Sequence, residues 1–238
     1  MKRIVFAFTA LVLALPCQYI HAQDLQEIMG QLTNPAKKAA FKPLYEFDAY
    51  FRMEMTGSGE QVIYDTYLTK GGGNLAMVFR VEGTPTTFII DTENEAMVML
   101  VESGGEKTGF AMAVNPDAIA NLASDSFDDK PADEFRTGKT KSILGYTCQE
   151  YLIRDGNSVI SVWSSEKLGR EIGQETLKNQ KVFGGAFGHA VFMGGMVMEY
   201  HYENGAEKMT LKVTDIDLNR KHTISTGEYH VMSFGQTP

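Results

Sequence analysis

Apolar side chains in this chain return at every second position, in short runs that stop at tight, glycine-bearing links. In "YEFDAYFRMEM" the residues Phe47, Ala49, Phe51, Met53 and Met55 alternate with polar or amphipathic ones, the period of a strand with one buried face. Further strand runs follow at Gln61–Thr69, Leu75–Val81, Thr86–Asp91, Ala96–Glu102 and Thr108–Val114. Others lie at Arg136–Ser142, Tyr146–Arg154, Ser158–Ser164, Met196–Tyr202, Lys208–Asp217 and Thr223–Val231. The links Gly71-Gly72-Gly73-Asn74, Asp155-Gly156-Asn157 and Asn204-Gly205 supply residues that tolerate positive φ in tight turns. Such short links make neighbouring strands antiparallel. The expected fold is mainly β with a few helices: a meander of about ten or more strands, curled into an incomplete barrel.

The central runs "FII" (Phe88–Ile90), "AMVMLV" (Ala96–Val101) and "FAMAV" (Phe110–Val114) are apolar on both faces. A one-sided antiparallel sheet would alternate there, so each face needs a cover, or the sheet curls around an apolar inside. A half-barrel with a greasy concave face meets this requirement, and so does an ordinary sandwich core. Three helical pieces are expected. Asp24–Ala40 carries Leu25, Ile28, Met29 and Leu32 at helical spacing, with Pro35 as a break. Pro116–Ala123 follows Asn115 as N-cap, and Glu171–Val182 is a third segment.

The first residues read as a secretory signal peptide. Lys2 and Arg3 precede the apolar stretch Ile4–Leu15, and Ala22 is a small residue at the expected cleavage point. The stretch is too short to span a bilayer. Pro16 before Cys17 argues against acylation of that cysteine. Cleavage after Ala22 leaves 216 of the 238 residues as one β-rich domain, 23–238. It removes two of the 22 basic residues and none of the 30 acidic ones, so the remainder has a formal charge of −10. That balance makes nucleic acid and anionic lipid surfaces poor partners. Cys148 is then without a second cysteine to pair with.

Catalytic signatures are missing: there is no G-x-S-x-G, H-E-x-x-H or C-x-x-C, and no phosphate-binding loop. Cys148 has no His, Lys or Arg close in sequence and reads as a small core hydrophobe. Glu199, His201 and Glu203 alternate along one strand, so all three point to one face. They form either a cation site or a solvated polar face, with Tyr200 and Tyr202 on the buried side. Asp125, Asp128, Asp129 and Asp133 crowd "SDSFDDKPADEF", where Pro131 stands in place of the turn glycine of a calcium loop.

The stretch "KTKSILGYTCQEYLIRDGNSVISVWSSEKLG", Lys139 to Gly169, resembles a family of secreted bacterial proteins, the domain of unknown function numbered 4412. Gly145, Tyr146, Cys148, Tyr151, Trp163 and Gly169 carry the match. "TTFIIDTENEAMVMLVE" and "HTISTGEYHVMSF" resemble the family's paired strands and closing strand. The family is similar in layout to the periplasmic lipoprotein carriers LolA and LolB, incomplete antiparallel barrels whose concave side holds acyl chains. The resemblance implies a LolA-like half-barrel in the periplasm or outside the cell. It also implies a lipid, acyl chain or lipoprotein as ligand, no cofactor and no enzymatic activity.

The segment "FGGAFGHAVFMGGMVM", Phe183 to Met198, combines five glycines with adaptable apolar side chains. It reads either as an apolar flap over the barrel mouth or as a packed loop. On the flap reading Phe187, Phe192, Met193 and Met196 touch the ligand. Three functions stay open: a carrier of an apolar ligand, an envelope interaction module with a filled interior, and, least favoured, a hydrolase or metal-dependent enzyme.

Overall fold

The computed structural model describes residues 33–34, 36–57, 60–81, 83–115, 132–173 and 195–234. The chain first forms β1 (Leu44–Phe47), then six strands in succession: β2 (Ala49–Gly57), β3 (Glu60–Leu68), β4 (Leu75–Val81), β5 (Thr84–Asp91), β6 (Ala96–Ser103) and β7 (Glu106–Ala113). A second succession holds β8 (Arg136–Ile143), β9 (Tyr146–Asp155), β10 (Ser158–Ser165), β11 (Met196–Asn204) and β12 (Glu207–Asp217). The helix α1 (Glu166–Ile172) leaves β10, and β13 (His222–Ser225) and β14 (His230–Phe234) close the described chain.

Both successions are antiparallel meanders, as their short links require. They join where β12 pairs with β2 from Met209↔Gly57 to Asp217↔Tyr50. The result is one twelve-stranded sheet in the order β14-β7-β6-β5-β4-β3-β2-β12-β11-β10-β9-β8. It is not closed into a barrel: β8 and β14 are its two edges. This is the mainly-β, incompletely wrapped architecture that the alternation predicts.

The apolar central strands have two covers. On one side of the sheet lie Phe88, Ile90, Met97, Met99 and Phe110, in a cluster that also takes Leu168 and Ile172 of α1. On the other side lie Ile89, Val98, Leu100 and Ala111, packed with Tyr45, Phe47 and Ile224. Among the described residues the second cover is therefore a two-stranded ribbon, β1 paired with β13. Full burial of a side chain such as Val98 or Met97 contributes about 1.5–3 kcal/mol, so a strand buried on both faces is a strong anchor.

Three expectations need correction. The run Thr223–Val231 is two strands. Tyr229 N–H donates to Thr226 O at 3.0 Å, and the Thr226 hydroxyl donates to Lys42 O at 2.7 Å, so the chain turns there and changes sheet. β14 then lies parallel to β7, the one parallel pair among the described strands. The described end of the Asp24–Ala40 segment is not helical. Thr33 bridges Val114, Asn34 N–H donates to Ala113 O, and the Asn34 side chain accepts from Ala36 N–H, giving the backbone partners that compete with a helix.

The third concerns the helix expected at Glu171–Val182. Its described part ends at Ile172, and the helix begins earlier, at Glu166. The Ser165 hydroxyl caps it by accepting from Leu168 N–H at 3.4 Å, and Gly173 ends it at φ +94°. The Pro116–Ala123 helix and the Phe183–Gly194 part of the glycine-rich segment lie outside the described residues. Among the described residues no helix is long and apolar enough to cross a membrane.

Candidate functional site

Register carries one side chain per strand across most of the sheet. Met232, Phe110, Met99, Phe88, Met77, Thr66, Phe51 and Ile216 stand opposite one another in turn, on β14, β7, β6, β5, β4, β3, β2 and β12. Directly opposed residues share a side, so these eight form a ladder on one face. A second ladder beside it runs Phe234, Met112, Met97, Ile90, Leu75, Leu68 and Ala49. Met55 on β2 opposes Leu211, and from there the line of register runs on the second meander through Tyr200, Val162 and Tyr151, which pack in a cluster of their own. Phenylalanine gives this face area and methionine gives it adaptability.

The face is buried at its centre and open at one end. Phe51, Leu68, Phe88 and Met99 are buried, whereas Met232 and Phe234 on the β14 edge are 42 % and 51 % exposed. Phe234 stacks on Phe110 with ring centres 5.8 Å apart. Thr66 interrupts the first ladder. It is 3 % exposed, and its Oγ1 has no hydrogen-bond partner among the described residues.

The expected ligand contacts fall on this region only in part. Met196 opens β11 and is buried in the same cluster as the ladder. Phe187, Phe192 and Met193 lie outside the described residues.

Cys148 is buried on β9, and its thiol donates to Tyr146 O at 3.5 Å. Burial pushes the thiol up to about 11, against the pull of the Lys141 charge. Lys141 is its cross-strand partner, a neighbour invisible in the local sequence. A thiol so placed is a core group and a poor nucleophile.

Glu199 and His201 do share a face, but they are engaged with each other. His201 Nε2–H donates to Glu199 Oε1 at 2.5 Å, and Lys141 Nζ donates to Glu199 Oε2 at 2.6 Å. Burial works to raise the Glu199 carboxyl, and these two donors outweigh it and hold the group below the usual carboxylate range. Glu203 is exposed and pairs with Lys208 at 3.0 Å. Tyr200 is buried and Tyr202 half-buried on the opposite side, as the alternation predicts. Among the described residues no three His, Cys, Asp or Glu side chains converge as metal ligands. Of the acidic loop, Asp133 pairs with Arg136 at 3.1 Å, and Asp125, Asp128 and Asp129 lie outside the described residues.

Glu150 on β9 has a separate set of polar partners. It accepts from Thr137 at 2.7 Å and Ser161 at 3.3 Å, and pairs with Lys139 at 3.1 Å. Beyond it, a groove of about 530 Å³ separates the β8–β9 turn from the end of β12, between Leu144 and Tyr146 on one wall and Asp215–Asn219 on the other. Sequence reasoning missed Thr66, Lys141 and Leu144. Thr66 reads as an ordinary strand residue, and the other two gain meaning only from their partners across the fold.

Comparison with known proteins gives limited likenesses. None of the curated proteins matches the chain in sequence. Among solved structures, PNGF-II is similar over 72 % of this chain, at 14 % identity and a TM-score of 0.36, and this chain spans only 28 % of it. LprF from Mycobacterium bovis is similar over 71 % of this chain and 85 % of its own, at 10 % identity and a TM-score of 0.32. A DUF1329 family protein from Desulfovibrio piger covers 89 % of this chain and 92 % of its own, at 7 % identity and a TM-score of 0.18. The family profile of the domain of unknown function DUF4412 matches residues 47–186, from the end of β1 through β9 and beyond α1. With more than half of its length matched, the chain belongs to the DUF4412 family.

Proposed function

We propose that this protein is an exported, non-catalytic binding protein of the cell envelope. It holds an apolar or lipidated ligand (a lipid, an acyl chain or the acyl groups of a lipoprotein) against the laddered side of its sheet. The observation that carries the reading is the ladder from Met232 to Ile216, an apolar track across eight strands whose β14 end is exposed. A track of Met and Phe fits a flexible chain of methylenes better than a rigid polar ligand. The ligand enters at Met232 and Phe234. Phe187, Phe192, Met193 and Met196 complete its cover. Cleavage near Ala22 delivers residues 23–238, as one β-rich domain, to the periplasm or the exterior.

The test is binding of a fluorescent fatty-acid probe by the protein lacking residues 1–22. Wild type should enhance the probe's emission saturably. The double variant Met232→Asp with Phe234→Asp should weaken uptake about tenfold with little change in melting temperature, since both residues are exposed. Phe187→Asp and Met193→Asp should act in the same direction. A second reading, an interaction module whose interior is filled by its own side chains, is favoured by the burial of Phe51, Leu68 and Phe88. Absence of saturable binding by wild type would establish it over the first.

A further inference from the structure

We propose that the Thr66 hydroxyl selects the ligand by hydrogen-bonding an uncharged carbonyl or hydroxyl oxygen, so that the track takes acyl esters or amides in preference to bare hydrocarbon. This inference rests on the carrier reading above.

Thr66 sits in the middle of the first ladder, opposed by Phe51 on β2 and Met77 on β4. Neither side chain offers a strong donor or acceptor. The residues two positions along on the same side, Tyr64 and Leu68 on β3 and Met53 and Ala49 on β2, carry no charge. A hydroxyl removed from water and left unpaired is unfavourable, and native proteins pair such groups or use them. Valine has nearly the same shape and would fill the position without that cost.

A comparison inside the same fold sharpens the point. Thr86, also buried and also on this side, directs its hydroxyl to Thr84 O at 3.4 Å. Thr66 has no equivalent outlet among the described residues. Tyr64 brings a second hydroxyl to the same side of β3, at one remove. The unpaired oxygen lies on the line of the track, and a chain lying along it reaches Thr66, 3 % exposed, by parting the side chains that bury it. It can donate to a carbonyl or accept from a hydroxyl. With no charged group in the surrounding ladder positions, a neutral oxygen is a better match than a carboxylate or an ammonium group.

The test uses displacement of a bound apolar fluorophore, N-phenyl-1-naphthylamine, by methyl palmitate and by hexadecane. Wild type should bind the ester about tenfold more tightly than the hydrocarbon, the size of one net hydrogen bond. Thr66→Val should abolish that preference while leaving hexadecane affinity within about twofold, and should leave the ligand-free melting temperature level or higher. Thr66→Ser, which keeps the hydroxyl, should retain the preference. An unchanged ester preference in Thr66→Val, or a Thr66→Val protein that melts much earlier or fails to fold, overturns the inference and leaves the carrier reading standing. Failure of wild type to bind either probe overturns both.

Discussion

Lys141 and Glu199 meet at 2.6 Å, although they stand on β8 and β11 with two strands between them. The ammonium also lies 4.1 Å from the centre of the Trp163 ring on β10. One side chain thus ties an edge strand to the interior of the sheet through a hydrogen-bonded ion pair and a cation–π contact. Lys141→Met should cost on the order of 1 kcal/mol, discounted for the partial exposure of the lysine. Urea unfolding would show it, and hydrogen exchange should quicken first along β8.

The same pair sets an acid response. The Glu199 carboxyl sits below its usual value near 4.5, because Lys141 and His201 outweigh the effect of burial. Burial likewise works to raise Glu150, and hydrogen bonds from Thr137 and Lys139 bring it below. A folded value below the unfolded one adds stability that is present above the unfolded value and lost as pH falls through the folded one. Wild type should therefore lose stability below about pH 4.5, and Glu199→Gln should show a shallower acid slope. Unfolding curves at stepped pH check this; a steeper slope in the variant would reverse the assignment.

Cys148 should be silent in the native state. With its thiol pushed up to about 11, only about one molecule in a thousand is thiolate at pH 8, and the sulfur is buried as well. A thiol reagent should label it slowly in buffer and at once in denaturant. Cys148→Ala should cost about 1–2 kcal/mol through lost packing.

Gly195 has no room for a side chain. A Cβ there would lie 2.6 Å from the backbone carbon and oxygen of Ser165, where β10 passes into α1. Backbone cannot yield as a side chain can, so Gly195→Ala should destabilise by about 2–3 kcal/mol or more. Gly109→Ala meets the Leu100 and Val231 side chains at 2.9 and 3.0 Å and the Met99 backbone oxygen at 3.1 Å, a looser backbone contact than at Gly195, and should be milder, with its effect on the docking of β14. A thermal melt of each variant distinguishes the two.

Leu144 occupies the left-handed region at φ +50° in the β8–β9 turn, is 48 % exposed, and precedes Gly145 at φ +82°. Two successive positive φ values favour Asn-Gly. Leu144→Asn should therefore stabilise the hairpin by about 0.5–1 kcal/mol, measured as a rise in the urea midpoint. A fall would mean that the Leu144 contacts along the groove outweigh the strain.

The strands were legible because alternation and turn residues act locally. Gly71–Gly73 and Asn204-Gly205 mark their links from the sequence alone. Pairing across long separations was not legible. Tyr45 meets Ile224 and Met55 meets Leu211 only because the chain returns, and no local signal records that. The same limit hid the ladders. Each residue reads as the buried position of its own strand, and the track exists only through register. Thr66 was hidden for another reason. A strand threonine looks the same in sequence whether its hydroxyl is paired or orphaned. The Thr223–Val231 run misled because strand-forming residues stand on both sides of the turn; the apolar phase breaks there, Ile224 being out of step with Tyr229 and Val231.

The two sheet edges carry opposite chemistry. β8 bears Arg136, Lys139 and Lys141 and is interrupted at Gly138, with φ +80°. Charge and irregularity of this kind discourage a second strand from adding. β14, "HVMSF", carries no formal charge at neutral pH with its His neutral, and exposes Met232 and Phe234. A molecule with one guarded edge and one permissive edge can add a neighbour in one direction only. Two copies meeting through β14 would each turn a guarded edge outward, so growth would terminate at a closed pair instead of propagating into a fibre.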